Sequence, residues 1–160
     1  MCGICGVIDK NRINPTILLN MAASLKHRGP DSVNIQIVDN VGLGHARLRI
    51  LDLSESANQP MSNEDDSIWL VYNGEYYTFR EYREVLLNKG HKFKSNTDSE
   101  VILHLYEEYG MDFVSCLRGM FAIAILDLRK DKLILLRDRV GIKPLFYYHD
   151  GRKRLYSRIG

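Results

Sequence analysis

Two cysteines stand near the start of the sequence, in the stretch MCGIC at residues 1–5. Their Cys-x-x-Cys spacing occurs in zinc sites and in thiol redox pairs. A thiol at position two allows a third chemistry, because removal of Met1 would leave an α-amine on the residue that carries the thiol. An α-amine titrates near ~7.7–8.0 and a thiol near ~8.5, so the amine can accept the thiol's proton at neutral pH. A metal corner, a redox pair and an N-terminal nucleophile are therefore all open.

The rest of the sequence gives little support to the metal and redox interpretations. A zinc site needs more ligands, and the chain has no second Cys-x-x-Cys and only scattered histidines, at 27, 45, 91, 104 and 149. A redox pair belongs at a helix start, where the dipole lowers the thiol pKa, whereas these cysteines lead into the strand-like Gly6-Val7-Ile8. We therefore interpret Cys5 as a small buried hydrophobe, and we expect no metal and no cofactor. Cys2 remains as the nucleophile.

Composition excludes several classes of function. The chain has 160 residues, 45% of them hydrophobic, and a net charge of +2. Its one basic cluster, at residues 152–154, is too small for a nucleic-acid surface, and no apolar run approaches the ~18 residues of a membrane span. Three cysteines without an apolar leader favour a reducing cytoplasm. We expect one cytoplasmic domain that binds neither nucleic acid nor a membrane, with no indication of its oligomeric state.

Hydrophobic periodicity predicts the secondary structure. We expect a helix over 15–27 and strands over 7–9, 35–38, 41–50, 68–72, 121–126, 133–136, 145–148 and 155–156. Asn73-Gly74-Glu75 is expected to end the strand over 68–72, and Asp150-Gly151 to form a turn. Two further helices follow the capping boxes at 78–81 and 97–100 and stop at Gly90 and Gly110. This order indicates one α+β domain over 1–160, with antiparallel sheet covered by helices.

Short motifs then point to a family. They are MCGICGV (1–7), HRGPD (27–31), GHARL (44–48), QPM (59–61), YNGE (72–75), DSEVIL (98–103), GMFA (119–122) and RDRVGIKPL (137–145). In this order they closely resemble the glutamine-hydrolysing domain of asparagine synthetases, a class II glutamine amidotransferase of the N-terminal-nucleophile hydrolase type. HRGPD and GIKPL favour that branch over the sugar-phosphate and purine branches. The resemblance implies a four-layer αββα fold, with two stacked antiparallel sheets between helix layers.

The resemblance also implies a role for individual residues. Cys2 would attack the side-chain amide of glutamine, while the Asn73 amide and the Gly74 N–H would form the oxyanion hole. Asp98 and the backbone around Glu75 would hold the substrate's α-ammonium. The segment that would line the glutamine pocket is Arg47, Leu48, Arg49, Ile50 and Leu51, with Arg47 on the α-carboxylate.

Taken without the family, these residues have simpler interpretations. Alternation along a strand points Arg47 and Arg49 the same way, so the pattern alone does not choose between them. Asn73-Gly74 is by default a hairpin turn, although a helix rather than a second strand follows it. Asp98 is by default an acidic residue in the first turn of a helix, where the dipole stabilises it. His27 and His45 are expected to be structural.

Two departures from the family pattern bear on function. Tyr76 and Thr78 replace the usual Ile and Asn of Glu-Ile-Tyr-Asn, which matters little because Thr also caps helices. The sequence lacks a Ser-Gly-Gly-x-Asp pyrophosphate loop and ends with Tyr156-Ser157-Arg158 where the family continues with Ala-Ser-Glu. We therefore expect no ATP-using synthetase domain in this polypeptide.

The sequence thus predicts hydrolysis of L-glutamine to L-glutamate and ammonia through a γ-glutamyl thioester at Cys2. The ammonia would pass to a separate synthetase subunit. A second hypothesis is a non-catalytic glutamine-binding or scaffolding module, or a truncated remnant of an asparagine synthetase. Measured glutamate release separates the two hypotheses.

Overall fold

The computed structural model describes residues 2–150 and 153–157, and for 153–155 and 157 it describes the backbone alone. Its strands are β1 (Gly3–Asp9), β2 (Ser32–Val38), β3 (Val41–Arg47), β4 (Met61–Ser62), β5 (Ile68–Tyr76), β6 (Gly119–Asp127), β7 (Lys132–Arg137), β8 (Phe146–His149) and β9 (Lys153–Ser157). Its α-helices are α1 (Pro15–Ser24), α2 (Phe79–Asn88) and α3 (Asp98–Tyr109). Short 3-10 helices cover Glu55–Ala57 and Gly110–Cys116. No helix of the described ranges is long and apolar enough to cross a membrane.

The strands form two antiparallel sheets. The first has the order β2-β3-β1-β9-β8, and the second has the order β4-β5-β6-β7. In the first sheet the N-terminal strand β1 lies at the centre, with Gly3 opposite Ala46 of β3 and Cys5 opposite Ser157 of β9. A residue just before β1 therefore emerges near the end of β3, because the two strands run in opposite directions.

Side-chain alternation assembles four layers. Along β1, Cys5 and Val7 pack with α1, whereas Ile4 joins a cluster between the two sheets. Along β5, Val71 joins the same cluster, while Leu70 and its neighbours on that face pack beneath α2 and α3. The layers are thus α1, the first sheet, the second sheet, and the pair α2 and α3. The predicted sandwich of two antiparallel sheets between helix layers is confirmed.

The strand β5 is longer than the sequence predicts. Its pairing with β6 continues past Asn73 to Tyr76 opposite Gly119, and Tyr76 is buried. A Cβ at Gly119 would stand 2.0 Å from the Glu75 carbonyl oxygen, so only glycine lets the two strands approach here. The expectation that Asn73-Gly74-Glu75 ends the strand is wrong, because pairing with β6 overrides the local turn preference.

The predicted starts and ends of α2 and α3 agree more closely with the structure. Thr97 accepts the Glu100 N–H at 3.4 Å and starts α3 at Asp98, and Gly110 ends it with a φ of 56°. The helix α2 begins after Thr78 without a side-chain cap bond and is followed by Gly90 with a φ of 99°. The strand β3 ends at Arg47 rather than at 50, so residues 48–51 leave the sheet as a loop. Of the turn predicted at Asp150-Gly151, Gly151 lies outside the described residues.

Candidate active site

A cavity of about 200 Å³ lies where the ends of β1 and β3 meet β5 and the start of α3. Nine of the ten residues predicted from the sequence line it: Cys2, Arg47, Leu48, Ile50, Leu51, Asn73, Gly74, Glu75 and Asp98. These residues come from four separated stretches of the chain, which the two sheets and α3 bring together. The cavity is smaller than those that hold drug-sized ligands, and its size suits a small molecule.

Cys2 is half-buried at the edge of this cavity. Its Sγ accepts the Leu48 N–H at 3.4 Å and lies 3.7 Å from the Leu48 carbonyl oxygen. Burial raises the pKa of the Cys2 thiol, while the Leu48 backbone and the Arg47 charge act in the opposite direction. The thiol is therefore protonated at rest, and its attack on a substrate needs a base that removes the proton.

Cys5 lies on the opposite face of β1. It packs against Ala22 and Leu25 of α1 and against Ala46, and only 1% of it is exposed. Burial raises the pKa of the Cys5 thiol to about 12. The two thiols do not converge, and both are free. The interpretation of Cys5 as a small buried hydrophobe is confirmed.

Arg47 ends β3 and is 5% exposed. Its guanidinium donates to the carbonyl oxygens of Ser54 (2.8 Å) and Asp52 and to Asn58 Oδ1 (2.7 Å). These partners are neutral and use three of its five N–H groups, and among the described residues no carboxylate lies within ion-pairing distance. A positive charge is therefore held at the cavity wall, with donors to spare for a carboxylate ligand.

Arg49 lies outside the cavity. Its guanidinium pairs with Glu55, and its backbone N–H donates to Asp31 Oδ2 at 2.8 Å. The chain leaves β3 after Arg47, so the strand alternation that would have aligned the two arginines no longer applies. Of the predicted lining segment 47–51, Arg49 is thus the one member whose side chain points elsewhere.

Asn73 and Gly74 lie on β5, where Asn73 points between the sheets and is 2% exposed. The Asn73 Nδ2 has no hydrogen-bond partner within the part of the chain that the structure describes. A buried amide donor without a partner is costly, so its presence at a cavity wall calls for an explanation. A Cβ at position 74 would lie 2.2 Å from the Met120 carbonyl oxygen, so glycine is required there.

Asp98 is the first residue of α3 and is 6% exposed. Its Oδ2 accepts the Tyr72 hydroxyl at 2.8 Å and the Tyr76 N–H at 3.0 Å, which ties the helix to β5. Burial raises the pKa of this carboxyl group, and those two hydrogen bonds oppose the shift. Asp98 is one of the residues that line the cavity.

Further residues that the sequence analysis did not assign to the site also line the cavity: His45, Asp52, Ala57, Gln59, Tyr72, Thr97, Ser99, Met120 and Lys143. His45 could have been found from the sequence, because it shares a strand face with Arg47. Burial lowers the pKa of His45 to about 3, so its imidazole is neutral. Lys143 is 3% exposed, and its backbone N–H donates to Asp138 Oδ2 at 2.8 Å. No spacing rule places it here, since it arrives from a loop after β7.

Comparison with known proteins agrees with this geometry. The model of the family described as "Glutamine amidotransferase domain" matches residues 1–158. The chain belongs to this family. The resemblance drawn from the motifs is therefore confirmed.

The curated relatives of this glutamine amidotransferase domain are longer proteins. It is 47% identical over 152 residues to asparagine synthetase [glutamine-hydrolyzing] 2 of Bacillus subtilis (strain 168). That match covers 92% of this chain and 20% of the relative. It is 42% identical to asparagine synthetase [glutamine-hydrolyzing] 3 of Arabidopsis thaliana, in a match that covers 91% of this chain and 25% of the relative. A putative asparagine synthetase of Methanocaldococcus jannaschii is 40% identical, in a match that covers 98% of this chain and 34% of the relative. The chain thus spans a fifth to a third of these relatives' length.

One solved structure supports the fold of the domain. The glutamine phosphoribosylpyrophosphate amidotransferase of B. subtilis, complexed with ADP and GMP, superposes with a TM-score of 0.82. The match covers 98% of this chain and 41% of that one at 20% sequence identity. At this identity the match bears on the fold alone.

Proposed function

We propose that this domain hydrolyses L-glutamine to L-glutamate and ammonia, with Cys2 as the nucleophile. The observation that carries the proposal is the convergence, on one small cavity, of a thiol, an unpartnered amide donor, an arginine with free donors and a buried carboxyl group. Membership of the glutamine amidotransferase family supports the same reaction. No cofactor enters this chemistry.

The reaction runs through a covalent thioester. The Cys2 sulfur adds to the side-chain carbonyl carbon of glutamine, and its proton goes to a base and then to the departing ammonia. Water then cleaves the γ-glutamyl thioester, which releases glutamate and restores the thiol. We assign the base to the α-amine of Cys2, which is free only after Met1 has been removed. Since burial raises the pKa of the thiol, proton transfer accompanies the attack.

The Asn73 amide and the Gly74 N–H are the proposed donors to the oxyanion of the tetrahedral intermediate. The unpartnered state of Asn73 Nδ2 supports this role, because a donor aimed at a charge that develops only during reaction has no partner before it. Donors of this kind are held in place before the substrate arrives and need not reorganise during the step. A rigid strand paired on β6 provides that support.

The charged groups of the amino acid end of glutamine are the proposed partners of Arg47 and Asp98. The planar guanidinium suits an α-carboxylate, and its hydrogen bonds to neutral partners leave N–H donors for one. Asp98 and the backbone around Glu75 would hold the α-ammonium. Leu48, Ile50 and Leu51 would complete the wall of the pocket. A glutamine held by both charged groups of its amino acid end presents its amide in one orientation to Cys2.

We further propose that the ammonia serves an asparagine-synthetase-type active site, as the names of the relatives suggest. The domain described here spans a fifth to a third of those proteins, so the acceptor site belongs to a region or subunit outside residues 1–160. Ammonia must reach that site unprotonated, since only the free base is a nucleophile.

Glutamate release from glutamine tests the proposal, with Cys2→Ala and Cys5→Ala as a matched pair. We expect Cys2→Ala to abolish release and Cys5→Ala to retain it while losing about 1 kcal/mol of stability from the buried site. Intact mass of the same samples reports whether Met1 is absent from the active protein. Equal loss of activity in both variants, or full activity with Met1 retained, would contradict the mechanism. Glutamine binding without any turnover by the wild-type protein would favour a binding module.

A further inference from the structure

Four metal-ligand side chains converge at a place that the proposed reaction does not use. They are Glu64 in the turn between β4 and β5, His91 in the loop after α2, and His104 and Glu107 on α3. One ligand atom from each lies within 4.8 Å of the other three, and none of the four lines the glutamine cavity. They are scattered over 44 residues of sequence, which is why the histidine spacing gave no sign of them.

The distances within this cluster suit one small ion. His104 Nδ1 lies 3.3 Å from Glu107 Oε2 and 3.8 Å from Glu64 Oε2. His91 Nδ1 lies 3.6 Å from the same Glu107 oxygen. With Zn–N and Zn–O bonds of about 2.1 Å, the ligand atoms of a tetrahedral site are roughly 3.4 Å apart. The three separations given above are close to that value, and all four ligand atoms lie within 4.8 Å of one another.

The remaining atoms of the two carboxylates are held by other groups. Glu107 Oε1 accepts a hydrogen bond from Asn63 Nδ2 at 2.8 Å, and Glu64 Oε1 accepts one from the backbone N–H of Lys92 at 3.0 Å. Each bond turns the second oxygen, Oε2, toward the centre of the cluster. Such outer hydrogen bonds orient the ligands in metal sites.

One of the two histidines, His91, follows the same rule. His91 Nε2 lies 3.3 Å from Glu108 Oε2, which leaves Nδ1 on the cluster side. His104 is 1% exposed, and its Nε2 has no hydrogen bond to any described residue but lies 4.0 Å from Glu100 Oε1. A metal on Nδ1 would place the ring proton on Nε2, facing that carboxylate. Carboxylate-backed imidazoles are the usual arrangement of zinc-binding histidines.

Charge also favours a cation. Two carboxylate oxygens, Oε2 of Glu64 and Oε2 of Glu107, approach His104 Nδ1 at the centre of the cluster. Arg129 reaches Glu107 only at the outer oxygen, Oε1, at 3.1 Å. A divalent ion would compensate both carboxylates at once. Two imidazoles with two carboxylates suit zinc better than Mg²⁺ or Ca²⁺, which prefer oxygen ligands alone.

We propose that these four side chains bind one Zn²⁺ ion in a structural site that joins the β4–β5 turn, the loop after α2, and α3. The site stabilises the helix layer over the second sheet and is separate from the glutamine cavity. Because ligands from three segments meet only in the folded chain, zinc binding adds to the stability of the fold.

The test is zinc binding to chelator-treated protein, measured by competition with a coloured chelator and by the thermal midpoint. The Cys2→Ala background is used so that the half-buried Cys2 thiol does not contribute a ligand. Glu64→Gln and His91→Gln each change one ligand outside α3, and circular dichroism checks that both variants fold. His149→Gln, an exposed histidine on β8, is the matched control.

We expect one zinc ion per chain, a rise in the thermal midpoint with zinc, and affinity that falls more than about tenfold in each ligand variant. The control should bind as tightly as the parent protein. Absence of stoichiometric binding, equal binding in both ligand variants and the control, or preference for Mg²⁺ would overturn the proposal. In that case the cluster is a hydrogen-bonded network. Glutamate release is not the readout, so the outcome is independent of the proposed reaction.

Discussion

The carboxylate of Asp98 accepts a hydrogen bond of 2.8 Å from the hydroxyl of Tyr72, across the boundary between α3 and β5. The bond ties the first residue of the helix to the strand that carries Asn73 and Gly74. A residue that would only stabilise a helix start faces solvent, whereas this carboxylate is buried at a cavity wall. The two interpretations of Asp98, a helix-start residue and a substrate-binding residue, therefore predict different effects of removing its charge.

Asp98→Asn is the first prediction. The amide keeps an oxygen for the Tyr72 and Tyr76 donors but loses the charge that would pair with the substrate's α-ammonium. We expect KM for glutamine to rise at least about tenfold with a smaller change in kcat, since a contact made throughout the reaction is lost. Steady-state kinetics measure both constants, with the exposed Asp112→Asn as control. An unchanged KM, with a few tenths of a kcal/mol of stability lost, would return Asp98 to a helix-start role.

The second prediction compares two neighbouring arginines. Arg47→Ala should raise KM by roughly a hundredfold, about 2.7 kcal/mol, because the α-carboxylate loses a charged bidentate donor. Arg49→Ala, whose side chain is paired with Glu55 outside the cavity, should change KM little. Arg47→Lys keeps the charge but loses the bidentate guanidinium geometry, so its KM should lie between those of the two alanine variants. Circular dichroism checks that the Arg47 variants remain folded, because Arg47 also donates hydrogen bonds to the loop after β3. Equal effects of both alanine variants would contradict the assignment.

Asn73→Ala provides the third prediction. The amide is proposed to stabilise charge that exists only in the transition state, so kcat should fall by roughly 10²–10³ with little change in KM. Because Nδ2 has no partner among the described residues, the substitution should cost little stability. Kinetics and denaturant unfolding are measured on the same sample, with the exposed Asn88→Ala as control. A large loss of stability with kcat retained would make Asn73 a structural residue.

The fourth prediction concerns pH and His45. Burial lowers the pKa of this histidine to about 3 in the folded state, against an ordinary value near 6.5. Below about pH 6.5 the unfolded chain binds a proton that the folded chain does not, so the free energy of unfolding falls as pH falls from 6.5 toward 3. This one residue contributes a slope of up to about 1.4 kcal/mol per pH unit.

His45→Gln should therefore flatten the stability profile between pH 6.5 and 4, whereas the exposed His27→Gln should not. Urea unfolding at several pH values measures the slopes. Parallel profiles for the wild-type protein and His45→Gln would show that the buried imidazole does not control this region.

Much of the chain's organisation could be predicted from local patterns. The order of motifs identified the family, and Thr97, Gly90 and Gly110 marked helix boundaries because caps and positive φ values act within a few residues. Apolar alternation and turn signals located most strands and indicated antiparallel sheet covered by helices, and the family resemblance implied that the strands form two stacked sheets. The separation of Cys2 from Cys5 onto opposite faces also follows from alternation along one strand.

Only the tertiary structure decided the rest. Asn73 lies inside a strand because β6 pairs with β5 as far as Tyr76, and Arg49 turns away because β3 ends at Arg47. The cluster of Glu64, His91, His104 and Glu107 exists only because the turn, the loop and α3 pack together. Local preferences are worth a few tenths to about one kcal/mol per residue, and strand pairing and burial summed over many residues exceed them. Sequence therefore determined which residues could do chemistry, and packing decided which of them meet.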